Sequence, residues 1–387
     1  MLKALFVGCY PNKIDPYLRS FYCELIHAIA DMGIECTVVA PVSITHYRNK
    51  ISLIDKHEFD ITNKGSRIEV FHPRYISYSS KNVGPFKTGY LSEKAFQNAA
   101  LNCVKKIDKK FDFVYGHFFL TGGLAAIRIG KKLKLPSFVA FGECDYESQI
   151  RDDYGELKHR DIKGITGIIS VSTKNKQVLD SLGLFKDVPI ILAPNSVDLA
   201  KFKKMDKMTC RHRLNLPNEK FIVGFVGGFI ERKGDKRLLE AVNQLDDTYV
   251  AFAGRGEDKP SGDRVVFCQA MEHNDIPIFL NAVDVFVLPT LAEGSCNAIV
   301  EAMACGLPII SSDLPFNDDV LDNENSIRID PMSVDEIRDA ISTLKDENKR
   351  EMMGENALLT AQNLSIERRA ARILDFIERY SDKHDSK

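Results

Sequence analysis

The chain has 387 residues, 44% hydrophobic and 27% charged; these are globular values at a length that exceeds one ordinary core, so two domains are expected. It holds no apolar run of about 18 residues, which argues against a membrane-spanning helix. Its nine cysteines are scattered with no Cys-x-x-Cys pair, which argues against a disulfide framework or a zinc site and for a reducing cytoplasm. The net charge of -2 is unevenly placed: residues 1–200 hold 27 Lys+Arg against 21 Asp+Glu, and residues 201–387 hold 25 against 33. The basic half, with Lys105, Lys106, Lys109, Lys110, Lys131, Lys132 and Lys134, reads either as solvated helix faces or as a surface for anionic lipid or an anionic acceptor.

In chain order, residues 2–8 form an apolar strand that starts without a leader, 9–18 a Pro- and Asn-rich loop, and 19–32 a helix (Phe21, Leu25, Ile29) stopped at Gly33. Residues 35–40 read as the next strand. Residues 43–65 and 76–92 show no period. Strands follow at 112–116, 137–141 and 167–171, with a helix at 120–133. Strand and helix alternation of this kind predicts a parallel sheet covered on both faces. It restarts with strand 221–226, helix 235–245, strands 249–253 and 264–267, helix 276–282 and strand 285–288. A helix over 296–305 and a strand over 308–311 come next, and 367–380 is an amphipathic helix (Ala370, Ile373, Leu374, Ile377). A charged stretch after residue 200 marks the linker, near 200–206. Two such doubly wound domains in series leave a cleft between their loop edges.

The most informative segment is Glu293-Gly294-Ser295-Cys296-Asn297-Ala298-Ile299-Val300-Glu301. It lies between a buried strand and a helix whose stop is Gly306, with Ser295 a good N-cap. The N–H groups of Ser295, Cys296 and Asn297 at a helix start suit an anion. Glu301, farther along the helix and leaning back toward its start, suits vicinal hydroxyls. Phosphate and ribose together describe a nucleotide, and Glu293 is left for a sugar.

These nine residues form a Glu-x7-Glu motif. With Gly227-Gly228-Phe229-Ile230-Glu231-Arg232-Lys233-Gly234 upstream and Pro194-Asn195-Ser196-Val197-Asp198 with Phe202 before that, the chain resembles the family 4 glycosyltransferases, retaining enzymes of the GT-B fold. The resemblance implies an α/β architecture of two Rossmann-like domains facing across a cleft. We expect an acceptor-binding domain over 1–203, a nucleotide-sugar domain over 204–364, and a C-terminal helix within 365–387 that crosses back to the first domain.

The resemblance also implies roles for residues. Arg232 and Lys233 neutralise the leaving diphosphate, as fixed cations do without reorganising. Glu301 binds the ribose, Glu293 meets the donor sugar, and Gly294, Ser295, Cys296 and Asn297 line the donor site. Gly228 stands where many members carry an arginine, and Gly254 opens a donor-side glycine turn. Phe267 lies near the base, and His117, at the end of a strand, faces the donor sugar. Phe141 replaces a common histidine before Gly142, so Glu143 or Asp145 takes over acceptor contacts. In the first loop, Asn12 and Arg19 are acceptor-site candidates, Arg19-Ser20 standing where glycine is common.

The implied activity is transfer, without metal or other cofactor, from a nucleoside diphosphate sugar, UDP more often than GDP. The implied acceptor is a bacterial surface glycan or its lipid-linked precursor. We expect a cytoplasmic protein with peripheral contact to anionic membrane through the basic half, and no nucleic-acid partner. Two alternatives stand beside this: a nucleotide-sugar-binding subunit without transfer activity, and a GT-B nucleotide-sugar epimerase.

Overall fold

The computed structural model describes residues 1–78, 82–83, 86–146, 150, 158 and 160–381. The chain divides into two compact units, Met1–Ala193 joined by the chain from Glu367 onward, and Pro194–Ile366.

The first unit is built on β1 (Lys3–Val7), β2 (Glu35–Val39), β3 (His57–Ile61), β4 (Arg67–Phe71), β5 (Phe113–His117), β6 (Ser137–Phe141), β7 (Gly167–Ser170) and β8 (Ile190–Leu192). They lie in the order β8-β7-β6-β5-β1-β2-β4-β3. All pairs are parallel except the edge hairpin β3–β4. In the centre Leu5 is level with Thr37 on one side and Val114 on the other. Both faces of that centre are covered, so β1 is apolar after Lys3 and Ala4, Leu5, Phe6 and Val7 have no exposed surface. Burying a side chain such as Leu5 or Phe6 contributes roughly 1.5–3 kcal/mol.

Helix α1 (Ser20–Asp31) buries Tyr22, Leu25, Ile26 and Ile29; of the anticipated Phe21, Leu25 and Ile29, Phe21 is only half-buried. Several elements of this unit were not anticipated, and two of them carry patterns that disguise them. One is the β3–β4 hairpin: in β3 the alternation faces the wrong way, with Phe59 and Ile61 exposed. The other is helix α2 (Gly89–Val104), whose apolar face of Phe96, Ala100, Leu101 and Val104 is interrupted by buried Glu93 and Gln97. Residues 79–81 and 84–85 of the unassigned 76–92 stretch lie outside the described residues.

The second unit holds β9 (Phe221–Val226), β10 (Thr248–Ala253), β11 (Val265–Gln269), β12 (Val285–Leu288), β13 (Ile309–Ser312) and β14 (Ser326–Ile329). They run in the order β11-β10-β9-β12-β13-β14, all parallel. Val223 is level with Val250 and Val285, and Phe225, Phe252, Phe279 and Phe286 fill the core without exposure.

The unit boundary falls ten residues before the anticipated 203/204, because residues 194–202 pack into the second unit. Val197 donates to Leu364 O and accepts from Ile366 N, and Phe202 joins that unit's core. The last helix, α3 (Ile366–Ser381), belongs to the first unit from Glu367 on. Its Phe376 ring meets Phe138 of β6 edge-on at 5.9 Å.

In each sheet one strand has neighbours on opposite sides reached by separate crossovers: β1 between β5 and β2, and β9 between β10 and β12. At such a switch point the loops leaving adjacent strand ends diverge and a crevice opens. The loops after β1 and β5 hold Asn12, Arg19 and the end-of-strand His117, and those after β9 and β12 hold Arg232, Lys233 and Glu293; Glu143, Asp145 and Gly254 follow the neighbouring strands β6 and β10, and Phe267 lies on β11.

Candidate functional site

In the second unit, β9 runs into Gly227-Gly228-Phe229-Ile230, a single 3-10 turn over Glu231–Lys233, and then the helix Asp235–Asn243. Gly234 joins turn to helix at φ 79°, in the left-handed region that glycine enters at no steric cost. The loop after β12 lies beside it, and Leu291 N donates to Arg232 O at 2.8 Å.

Glu293 is the centre of this pair of loops. Its Oε1 accepts from Lys233 Nζ at 2.5 Å, Thr290 Oγ1 at 2.9 Å and Arg232 Nη1 at 3.1 Å. Arg232 Nη1 also donates to Ala292 O. Lys233 and Glu293 are nearly enclosed, at 16% and 12% side-chain exposure, whereas Arg232 keeps 35%. Burial alone would depress the Lys233 ammonium; the Glu293 carboxylate that it donates to outweighs burial and holds its pKa above the ordinary lysine value. Two fixed cations on one carboxylate oxygen, in a shielded pocket, make a preorganised receptor for negative charge.

The helix that follows, Asn297–Ala304, starts one residue later than expected and has Cys296, not Ser295, at its N-cap, with no capping hydrogen bond from that side chain. Ser295 has another use: its Oγ accepts from Asn195 N at 3.1 Å and its carbonyl from Asn195 Nδ2 at 2.8 Å. The Pro194–Asp198 block and the Glu-x7-Glu block are therefore one piece of structure. Gly294 and Cys296 are buried, Ser295 and Asn297 half-buried. Burial pushes the Cys296 thiol up to about 11, so it stays protonated. Asn297 Oδ1 is enclosed without a hydrogen-bond partner.

Glu301 pairs with a residue that the motif did not reveal. His273 Nε2 lies 2.8 Å from Glu301 Oε1, and Lys201 Nζ lies 2.7 Å from His273 Nδ1. A lysine ammonium only donates. Nδ1 is therefore the acceptor and Nε2–H faces the carboxylate, which fixes the tautomer and orients Glu301.

Gly254 follows β10 where a Cβ would sit 1.8 Å from Gly227 O. This glycine is demanded by the packing of two loops. A Cβ at Gly228 would meet nothing closer than Arg255 O at 3.7 Å, so the position tolerates a side chain. Phe267 is half-buried on edge strand β11, its ring 5.7 Å from Phe279.

In the first unit, His117 ends β5 and is 4% exposed. Aromatic rings surround it: Tyr22 at 4.5 Å, Phe118 at 4.9 Å and Phe21 at 5.4 Å between centroids. Burial holds its pKa well below the ordinary histidine value, helped by Arg369 and Arg19, so the imidazole is neutral. Arg19 and Phe118 both adopt left-handed backbone, at φ 56° and 61°, and the Arg19 guanidinium stacks 4.4 Å over the Phe118 ring. Non-glycine residues there cost about 1 kcal/mol or more. The left-handed turn explains why glycine is the usual choice where this chain has Arg19.

The other first-unit candidates serve their own loops. Asn12 Oδ1 accepts from Ile14 N at 2.9 Å and Asp15 N at 3.1 Å, and its Nδ2 donates to Tyr47, the geometry of an Asx turn. Glu143 Oε1 accepts from Phe119 N at 2.6 Å and Oε2 from Gly142 N at 3.0 Å. Its carboxyl braces the turn after β5 rather than presenting itself to an acceptor, and burial pushes its pKa up to about 7 against those two bonds. Asp145 is half-buried in the loop after β6.

Two units of parallel sheet, each with its own switch point, define a GT-B fold. Residues 206–360 match the family model for glycosyl transferases group 1. TuaC of Bacillus subtilis (strain 168), assigned to teichuronic acid biosynthesis as a glycosyltransferase, is 26% identical over 364 residues, 89% of this chain and 90% of its own length. The Escherichia coli UDP-Gal:alpha-D-GlcNAc-diphosphoundecaprenol alpha-1,3-galactosyltransferase is 28% identical over 275 residues, 64% of this chain and 70% of its own. Among solved structures, sucrose-phosphate synthase from Thermosynechococcus elongatus superposes with a TM-score of 0.74 at 18% identity, covering 98% of this chain and 99% of that one. Anabaena Alr3699/HepE in complex with UDP and glucose gives 0.70 at 16%, covering 98% and 100%. The second unit thus matches the group 1 glycosyl transferases, and the chain has glycosyltransferase relatives in bacterial polysaccharide biosynthesis. Among the described residues no helix is long and apolar enough to cross a membrane.

Proposed function

We propose that this protein is a retaining, metal-independent glycosyltransferase. It moves a sugar from a UDP-sugar to a glycan or lipid-linked glycan of a bacterial surface polysaccharide. The observation that carries this reading is the convergence of Arg232 and Lys233 on one oxygen of Glu293. In the resting protein that carboxylate pairs with both cations and offsets one of their two charges. A donor diphosphate brings its own negative charge and takes over Lys233 and Arg232, which frees Glu293 to turn to the sugar hydroxyls. The N–H groups at the start of the helix Asn297–Ala304 add their dipole to the same anion.

Breaking the bond between the anomeric carbon and the diphosphate leaves an electron pair on the phosphate oxygen. Arg232 and Lys233 hold that charge. The acceptor hydroxyl attacks from the face the diphosphate leaves, and its proton passes to the departing phosphate oxygen. Glu301, oriented by His273, accepts hydrogen bonds from the ribose hydroxyls. Neutral His117 serves the sugar as a hydrogen-bonding group, not as an acid. UDP is favoured by the donor in the name of the E. coli relative and by the ligand of the Anabaena structure. A membrane-bound acceptor is favoured by that relative's diphosphoundecaprenol substrate and by the basic first 200 residues. Both favour a location at the cytoplasmic face of the membrane.

The test is incubation of purified protein with a panel of nucleotide sugars, with and without a chelator. Slow release of UDP, undiminished by the chelator, supports transfer. A new nucleotide sugar formed without acceptor establishes an epimerase, and binding without turnover establishes a non-catalytic subunit. A thermal-shift screen with UDP, GDP, ADP and CMP identifies the base, since a ligand of the native state raises its stability.

A further inference from the structure

Away from the residues discussed so far, one cluster in the first unit gathers four ligating atoms. Cys23 and His27 are four residues apart on α1 and so share a face of the helix. Asp60 comes from the edge strand β3, and Tyr10 from the loop after β1. His27 Nε2 lies 2.7 Å from Asp60 Oδ2, Cys23 Sγ lies 3.3 Å from His27 Nε2, and Cys23 Sγ lies 3.7 Å from Asp60 Oδ2. Tyr10 OH is 2.7 Å from Asp60 Oδ2 and 3.3 Å from Cys23 Sγ. The His27 and Asp60 side chains keep 27% and 32% of their surface, so an ion can reach them from solvent. A His27–Asp60 ion pair accounts for two of these residues. It does not account for a thiol and a phenol that converge on the same carboxylate oxygen.

We propose that Cys23, His27 and Asp60 form a zinc site that ties α1 to the sheet edge. Zinc bonds of about 2.0–2.3 Å at tetrahedral angles set neighbouring donor atoms about 3.3–3.7 Å apart. Two of the three separations already have that value, and the His27–Asp60 contact needs to open by only about 0.6 Å to join them. Thiolate, imidazole and carboxylate together select zinc over magnesium or calcium. Three protein ligands leave the fourth position to water, and Tyr10 orients Asp60 from behind, as outer-shell partners of metal ligands do. As the ion enters, the thiol and the protonated imidazole each release a proton to solvent. The proposed transfer chemistry uses none of these groups.

The experiment uses the full chain, stripped of metal and titrated with Zn2+ by calorimetry and with Co2+ by absorption. The expected result is one equivalent bound, with a thiolate-to-cobalt charge-transfer band in the near ultraviolet. Cys23→Ser should abolish the band, and His27→Gln and Asp60→Asn should each weaken binding at least about tenfold. Tyr10→Phe keeps all three ligands, so it should keep the band and controls for folding. Zinc at 100 times its Kd should shift the folding equilibrium about 100-fold in the native protein and leave the Cys23→Ser protein unmoved. Failure to bind, binding without the band, or binding undiminished in Cys23→Ser and His27→Gln would each overturn the proposal.

Discussion

The two switch points solve the same geometric problem with opposite chemistry. In the second unit the crevice is lined by charge that already has hydrogen-bond partners: Arg232 and Lys233 share Glu293, and Glu301 accepts from His273 Nε2. In the first unit it is lined by aromatic rings around a neutral His117, and the nearby carboxyl of Glu143 is spent on backbone N–H groups. On the proposed reading, one crevice receives an anion and exchanges partners with it. The other sets aromatic rings around His117, with Arg19 stacked over Phe118 at its edge. A charge-bearing site keeps its character only if each ion has a partner before the ligand arrives.

The sharpest way to break this contrast is at Lys233. If its ammonium holds the leaving charge, Lys233→Ala should lower kcat by about 10²–10³-fold, the usual loss of one preorganised donor to a developing anion. A loss confined to KM would instead mean uniform binding of donor and transition state.

Next in size is the pH response of the first unit. The Glu143 carboxyl ordinarily titrates at 4.5 but is held at about 7 in the folded chain. Between those values the folded chain keeps a proton that the unfolded chain has lost, so stability falls as pH rises from 4.5 to about 7 and is level above. The total is on the order of 3 kcal/mol. Denaturation of the wild type and Glu143→Gln at pH 5 and pH 8 checks it: the variant should gain on the wild type at the higher pH.

A smaller effect separates His273 from a mere surface histidine. Removing its hydrogen bond should loosen Glu301 and weaken UDP binding by about tenfold in His273→Ala, the scale of one hydrogen bond to a charged group. Affinity for inorganic phosphate should not change. The smallest effect tests the electrostatics around His117. Arg369 is buried, with its Nε and Nη2 unpartnered, and it pushes the His117 pKa down. Arg369→Met should therefore raise that pKa, read from imidazole resonances, by about a unit or less at an effective dielectric typical of proteins.

How much of this was legible in the sequence follows the same division. Parallel strands buried on both faces appear as apolar runs, so β1, β5, β6, β9, β10 and β12 could be read directly. The edge hairpin could not, because β3 exposes Phe59 and Ile61 and its inward positions carry charge. The Glu-x7-Glu and Arg232-Lys233 segments are contiguous and polar, and they stand out. His273 and Lys201 do not: they lie 28 and 100 positions from Glu301 and have no pattern of their own. Ser295 looked like a cap because serine commonly is one, but tertiary contact with Asn195 overrode that local preference. Asn12 and Glu143 were singled out as polar residues in site loops. A sequence does not show whether such a group faces a ligand or its own backbone. Cys23, His27 and Asp60 escaped notice because their juxtaposition depends on the hairpin.

The central claim is that Arg232 and Lys233 exchange Glu293 for a donor diphosphate. Calorimetric titration of UDP and of uridine into the wild type and Lys233→Ala tests it most directly. The account predicts that the wild type binds UDP far more tightly than uridine, and that the variant loses most of that difference while its uridine affinity stays the same. Equal UDP affinity in the two proteins would contradict it.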